Sequence, residues 1–229
     1  MSYSERNASP SLLAWSAGEH TLYRYVRAGA AEALQFNPWM LQWEASGALP
    51  DDVTAVASGT EALRLVFTGA AARRVPIGII GPRDASSEEI TSAYELGRML
   101  AEVGLQLICG GKGGVMEAAC KGHLEAGGLP IGVLPDTEWR EGNPYVAIPL
   151  ATGIGPVRNA ILARASVALV AIGGGYGTLT EMAYGLHFGR PVFTLGDSPF
   201  VEGAVGCKKL DEVIAHIAEH LISDAPVAD

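Results

Sequence analysis

Ile77-Gly78-Ile79-Ile80-Gly81 decides the fold: a short apolar run ending in glycine, followed a few residues later by Ser86-Ser87-Glu88-Glu89. A run this short, apolar at successive positions, reads as a strand buried on both faces of a parallel sheet. Ser86 and Glu89 have capping-box spacing, with the serine oxygen serving the Glu89 N–H and the carboxylate returning to the serine N–H. A helix is therefore expected through Tyr94, Leu96 and Leu100, with a stop at Gly104. The same phrase repeats downstream. Strands are expected at 105–109, 131–134, 167–172 and 191–195, and a helix at 115–126. A last helix places Leu210, Val213, Ile214, Ile217 and Leu221 on one stripe. Strands alternating with helices predict an α/β fold, a doubly wound parallel sheet with helices on both faces. In such sheets ligands sit beyond the carboxyl ends of the strands, and each glycine cluster in this segment follows a strand.

Upstream of Arg73-Arg74 the grammar is different, and the chain divides into residues 1–74 and 75–229. The first part holds Trp15, Trp39 and Trp43 and no repeating strand–helix order. A helix is expected over Thr21–Leu34, stopped by Asn37-Pro38 because the residue before proline avoids the α region. Another is expected over Thr60–Thr68, with Leu63, Val66 and Phe67 on one face. The reading is a mainly helical N-terminal extension that packs on the main domain or on a neighbouring subunit.

Composition narrows the function classes. Of 229 residues, 48% are hydrophobic and 18% charged, which excludes a largely disordered chain. A formal net charge of −9 opposes non-specific binding to nucleic acid or anionic membranes, so neither partner is expected. Small anionic ligands stay open, because they respond to local fields of backbone amides. Cys109, Cys120 and Cys207 lie apart, with no CxxC and no histidine at zinc spacing. No disulfide framework, metal or cofactor is expected, and a reducing cytoplasm suits this usage. No stretch approaches the ~20 apolar residues of a membrane span. Met1–Pro10 is polar and carries no apolar core of a signal peptide.

Two glycine clusters carry the candidate chemistry. The first is Cys109-Gly110-Gly111-Lys112-Gly113-Gly114-Val115-Met116-Glu117. Gly110, Gly111, Gly113 and Gly114 let the main chain approach a ligand, and the opening helix turns free N–H groups towards an anion. A tight turn alone would use one or two of them. The spacing is not a Walker A loop, since Gly113 follows Lys112, and it does not match the dinucleotide G-x-G-x-x-G. The second cluster is Gly173-Gly174-Gly175-Tyr176-Gly177-Thr178-Leu179-Thr180-Glu181. Thr178 and Glu181 again have capping-box spacing, so Glu181 is read either as a cap or as a chemical carboxylate. Gly174, Gly175, Gly177 and Thr178 read as a ligand cradle. Between the clusters, Pro156 suits a helix's first turn and sets Arg158 near an N-terminus, where the dipole disfavours a cation. Arg158 is thus either held by a fixed carboxylate or phosphate or simply exposed. Glu117, Asn159 and Tyr176 are possible ligand contacts.

These motifs together resemble the lysine-decarboxylase-like, LONELY GUY (LOG) superfamily. The likeness rests on Gly173–Glu181, Arg158, Cys109–Gly122 and Gly189-Arg190-Pro191-Val192, and runs from about Pro76 to Leu221. It implies a Rossmann-like form of the sheet and a homodimer or larger homo-oligomer. It also implies a phosphoribohydrolase that cleaves the base–ribose bond of a nucleoside 5′-monophosphate, not a lysine decarboxylase. By position, Glu181 is then the catalytic carboxylate and Arg158 its partner. Gly174, Gly175, Gly177 and Thr178 hold the 5′-phosphate. Gly173 stands where the family has proline, Asn159 where it has lysine, and Gly155-Pro156 where it has methionine-histidine. Those departures point to a branch near the molybdenum-cofactor carrier proteins, which bind a phosphorylated pterin without catalysis.

Overall fold

The computed structural model describes residues 12–25, 33–69, 71–223 and 225–226. They form two compact units, one over 74–217 and one built from residues up to 73 and from 218 onward.

The first unit corrects the helical expectation. It contains strands β1 (Leu12–Ser16), β2 (Thr21–Tyr25), β3 (Ala33–Asn37), β4 (Gln42–Gly47) and β5 (Val53–Ala55), then helix α1 (Gly59–Phe67). The strands make an antiparallel sheet in the order β4-β3-β2-β1-β5. Thr21–Leu34, read as a helix, holds β2 and the start of β3; its middle, 26–32, lies outside the described residues, as does the polar stretch 1–10. Cross-strand partners outweigh local propensity here. Leu13 pairs with Arg24 and Tyr23 with Gln35. Trp43 is fully buried, and its indole N–H donates to the Ile222 carbonyl at 2.8 Å. The Arg24 guanidinium lies 4.2 Å over the same ring. The expected helix over Thr60–Thr68 is α1, capped by Ser58, with Leu63, Val66 and Phe67 buried.

The second unit follows the strand–helix grammar. Its elements are β6 (Pro76–Ile80), α2 (Ser87–Glu102), β7 (Gln106–Cys109), α3 (Val115–Glu125), β8 (Ile131–Leu134) and β9 (Ile148–Ala151). After these come α4 (Arg158–Ala165), β10 (Ala168–Ile172), α5 (Tyr176–His187), β11 (Val192–Leu195) and β12 (Val205–Cys207). Helix α6 (Leu210–Ala218) begins in this unit. The seven-stranded sheet has the order β12-β11-β10-β6-β7-β8-β9, and every pairing is parallel. It is the doubly wound, Rossmann-like α/β sheet read from the sequence. The Ser86–Glu89 capping box is present at the start of α2. The edge strands β9 and β12 are short and partly exposed, and β9 carries Pro149, a residue that suits a sheet edge.

This order has a single reversal. The chain leaves β6 towards β9, returns to β10, and continues to β12, so the carboxyl ends of β6 and β10 sit side by side, Ile80 opposite Ala171. Such a reversal opens a crevice beyond the strands. Gly81 permits the close approach there: a Cβ would stand 2.6 Å from the Ile172 carbonyl. Ile80, Leu162, Ala163, Leu169, Ala171, Met182 and Val192 pack a core beneath α4 and α5. Helices α2 and α3 pack against each other at backbone distance. A Cβ on Gly97 would meet the Ala119 carbonyl at 2.1 Å, and one on Gly122 the Tyr94 carbonyl at 2.0 Å. His123 is buried in this seam, its Nδ1 3.1 Å from the Gly97 carbonyl oxygen, and burial pushes its pKa below the ordinary histidine value. No helix among the described residues is long and apolar enough to cross a membrane.

Because the Gly97 and Gly122 contacts are to backbone, added methyl groups cannot be absorbed by a rotamer change. Gly97→Ala or Gly122→Ala is expected to lower unfolding free energy by about 1–3 kcal/mol. Urea denaturation checks this, and unchanged midpoints in both variants would mean the seam is looser than described.

Candidate functional site

The turn after β10 builds one wall of the crevice. Gly173 has φ +59° and Gly174 φ +135°, conformations that side chains resist. Gly174 also lies under the Thr178 side chain, where a Cβ would come within 2.5 Å. Helix α5 then starts at Tyr176 with Gly175 as its N-cap and no side-chain cap. Thr178 and Glu181 therefore do not form the capping box their spacing suggested. Both are buried inside the helix, and the Glu181 carboxylate turns towards α4 instead.

Its partner is Arg158. A 3₁₀ turn over Gly155–Val157 delivers Arg158 to the start of α4. Arg158 Nη1 donates to Glu181 Oε1 at 2.7 Å, and the residues are 7% and 5% exposed. Of the alternatives for Arg158, the structure realises the fixed carboxylate. The guanidinium lies directly over Gly110, where a Cβ would be 2.1 Å from Nη2. Thus the first glycine cluster, α4 and α5 meet at one ion pair. Burial pushes the Glu181 carboxyl above the usual carboxylate range, and the Arg158 charge pulls partly against that shift. Glu181 Oε2 accepts no hydrogen bond among the described residues, and Arg158 Nε donates none. Asn159 buttresses the same turn: its amide donates to Thr180 Oγ1 at 2.9 Å, and that hydroxyl donates to the Gly177 carbonyl at 2.7 Å.

A cavity of about 410 Å³ gathers Arg158, Asn159, Gly175, Gly177, Thr178 and Glu181. That volume lies within the range of small-molecule sites, about 300–1,000 Å³. Arg83, on the loop after β6, lines it too and went unread in the sequence. Its signal was its place just beyond the first strand's terminal glycine, at the reversal of strand order. The other predicted residues are placed elsewhere. Gly110 supports Arg158 from beneath, Gly111 packs on Leu134, and Gly114 begins α3 against the Pro82 and Arg83 carbonyls. Gly114 and Glu117 face a separate hollow of about 490 Å³ between α2 and α3, with Tyr94 and Lys121. Gly113 lies near the Glu117 carboxylate, and Tyr176 is 91% exposed. Another hollow, about 500 Å³ beside Asp197, Lys208 and Lys209, holds none of the predicted residues. The 410 Å³ cavity is smaller than either but alone contains the buried ion pair beside the glycine turn.

The first cluster is braced from behind. Lys112 Nζ pairs with Asp136 at 2.8 Å and donates to the Glu141 carbonyl, which holds the Asp136 carboxyl below its ordinary value. Cys109 and Cys120, eleven positions apart, bring their Sγ atoms to 3.4 Å in the core. The Cys120 contact and the Gly111 N–H lower the Cys109 thiol, while Cys120 is pushed up.

The SLOG cluster4 family model matches residues 74–221. The chain belongs to that family. The structure is similar to the molybdenum cofactor carrier protein MCP from Chlamydomonas reinhardtii, with TM-score 0.60 and 37% identity, over 65% of this chain and 99% of that one. It is similar to the molybdenum cofactor binding protein from Rippkaea orientalis, with TM-score 0.53 and 32% identity, over 69% and 90% of the two chains. In sequence it is 32% identical over 160 residues to cytokinin riboside 5′-monophosphate phosphoribohydrolase LOG from Oryza sativa subsp. japonica. That match covers 64% of this chain and 64% of the rice protein, so the chain spans just under two thirds of that enzyme's length. In this SLOG member, the residues that the family model matches include the ion pair and both glycine turns.

Removing one partner of a buried pair leaves the other charge uncompensated. Arg158→Leu is expected to cost about 3–5 kcal/mol of stability at neutral pH. Without Arg158 the Glu181 pKa rises further above its unfolded value. The stability linked to its proton is then fully present below the unfolded pKa and lost as pH rises through the folded one. The deficit should therefore be smaller near about pH 5 than near about pH 8. Urea titrations of both proteins at the two pH values test this, and a deficit that grows on acidification would contradict a raised Glu181 pKa.

Proposed function

We propose that this SLOG protein hydrolyses the base–ribose N-glycosidic bond of a nucleoside 5′-monophosphate, releasing free base and ribose 5-phosphate. The observation that carries the reading is the buried Arg158–Glu181 pair, 2.7 Å apart, in one cavity with the Gly175–Thr178 turn. Amides at the start of α5 suit a phosphate. Breaking the C–N bond builds positive charge at the sugar's anomeric carbon, and a fixed carboxylate stabilises that charge or directs water to it. Arg158 holds Glu181 Oε1, which leaves Oε2 for the reacting centre. The guanidinium thereby sets the direction of the carboxylate.

A second reading is a non-catalytic carrier of a phosphorylated pterin such as molybdenum cofactor. Two observations favour it: the 37% identity along 99% of the algal carrier, and the Asn159 amide, spent on Thr180 and Gly177.

The two readings part on one measurement. Purified protein is expected to release ribose 5-phosphate from a nucleoside-monophosphate panel, and Glu181→Gln to abolish release while keeping ligand affinity within a few-fold. The wild-type rate should climb with pH through the raised Glu181 pKa and then level, because the ionised carboxylate is the working form. No release from any nucleotide, together with a pterin retained in native mass spectrometry, would replace hydrolysis by the carrier reading.

A further inference from the structure

The cavity holds more positive charge than its ion pair needs. Two guanidiniums, Arg83 and Arg158, and one carboxylate, Glu181, line it. Arg158 is matched by Glu181 at 2.7 Å. Arg83 makes no ion pair and no side-chain hydrogen bond among the described residues. The nearby carboxylate Asp136 is held by Lys112 at 2.8 Å. Asn159, the other polar side chain on the α4 wall, has its amide engaged with the α5 turn. Arg83 is thus an exposed cation at the edge of this space, with its donors unspent among the described residues.

The backbone that carries it is fixed. Val115 N–H donates to the Pro82 carbonyl at 3.1 Å, and Gly114 lies against the carbonyls of both Pro82 and Arg83, where a Cβ would come within 2.3 Å. The loop after β6 is therefore anchored to the start of α3, and the Arg83 side chain leaves from a set position at the mouth. Arg83 also contributes to the positive field that lowers Asp136, which puts its charge on the Pro135–Asp136 side of the opening. The α5 turn forms another wall of the same cavity.

We propose that Arg83 grips the phosphate of the ligand, closing on it from the β6 loop while the Gly175–Thr178 turn holds it with main-chain amides. A planar guanidinium with five donors matches two phosphate oxygens at once, and a lysine there would act only as a point charge. Arg83 is a binding residue: it confers preference for a phosphorylated ligand over the same molecule without phosphate and takes no part in bond cleavage. The inference rests on the phosphorylated-ligand reading of the site and is stated for a ribonucleoside 5′-monophosphate.

The test compares wild type, Arg83→Gln and Arg83→Lys by calorimetry, with ribonucleoside 5′-monophosphates, the matching nucleosides and inorganic phosphate as probes. Arg83→Gln is expected to weaken monophosphate binding roughly 10- to 100-fold, the scale of a charge-assisted contact, with nucleoside binding unchanged. Arg83→Lys should recover part of the loss. If the wild type turns over a nucleotide, Arg83→Gln should raise KM and spare kcat. Equal monophosphate affinity in wild type and a folded Arg83→Gln overturns the proposal while leaving hydrolysis intact. Arg83-dependent binding without ribose 5-phosphate release supports the grip and removes the hydrolase. A wild type that binds no nucleotide, no nucleoside and no phosphate overturns both.

Discussion

Arg158 and Glu181 share a 2.7 Å contact with almost no solvent around it, and much of the second unit is arranged to permit that contact. Desolvating two opposite charges costs several kcal/mol per ion, and their attraction returns this only in a good geometry. The geometry here draws on three segments. Helix α4 presents the guanidinium from its first residue, α5 presents the carboxylate, and Gly110 at the end of β7 gives the guanidinium a floor without a Cβ. A pair so costly is poorly explained as a stabilising device. It is better understood as a carboxylate held in one direction, with one oxygen tied and the other left open.

Topology explains why the pair sits where it does. Only at the β6–β10 reversal do neighbouring strands send their following loops away from each other, and a crevice opens between them. Gly81 and Gly173 stand at the two strand ends, and the loops beyond them supply Arg83 on one side and the α5 turn on the other. Two purposes meet in both clusters, a positive φ and close packing: Gly111 and Gly114 after β7, like Gly173 and Gly174 after β10, have left-handed backbone and stand where a Cβ would collide with neighbouring atoms. The two clusters look alike in sequence because both purposes exclude a Cβ.

The first unit had no equivalent legibility. Its strands are four of five or six residues and one of three, too short for alternation to outvote a helical reading. Adjacent Leu22 and Tyr23 are both buried, so β2 lacks even the inside–outside pattern that marks a half-buried strand. What commits it is the pairing of β1, β2 and β3, together with the carbonyl of Ile222, 179 positions beyond Trp43. Nothing local to Thr21–Tyr25 encodes those partners.

By itself the sequence determined the doubly wound sheet, the α2 capping box and the two glycine turns, because each depends on neighbours within a few residues or on a period written along one element. It also marked Glu181 and Arg158 as residues of interest while leaving a cap or an exposed cation open for them. Tertiary structure alone decided that these two charges meet, that the first glycine cluster lies under one of them, and that Arg83 shares their cavity. It alone likewise brought Cys109 against Cys120 and folded the first unit as a sheet. The physical reason is distance along the chain: charge pairing, cavity lining and antiparallel registry are set by residues tens to hundreds of positions apart. Periodicity and spacing, which act over a turn or a strand, carry no record of them.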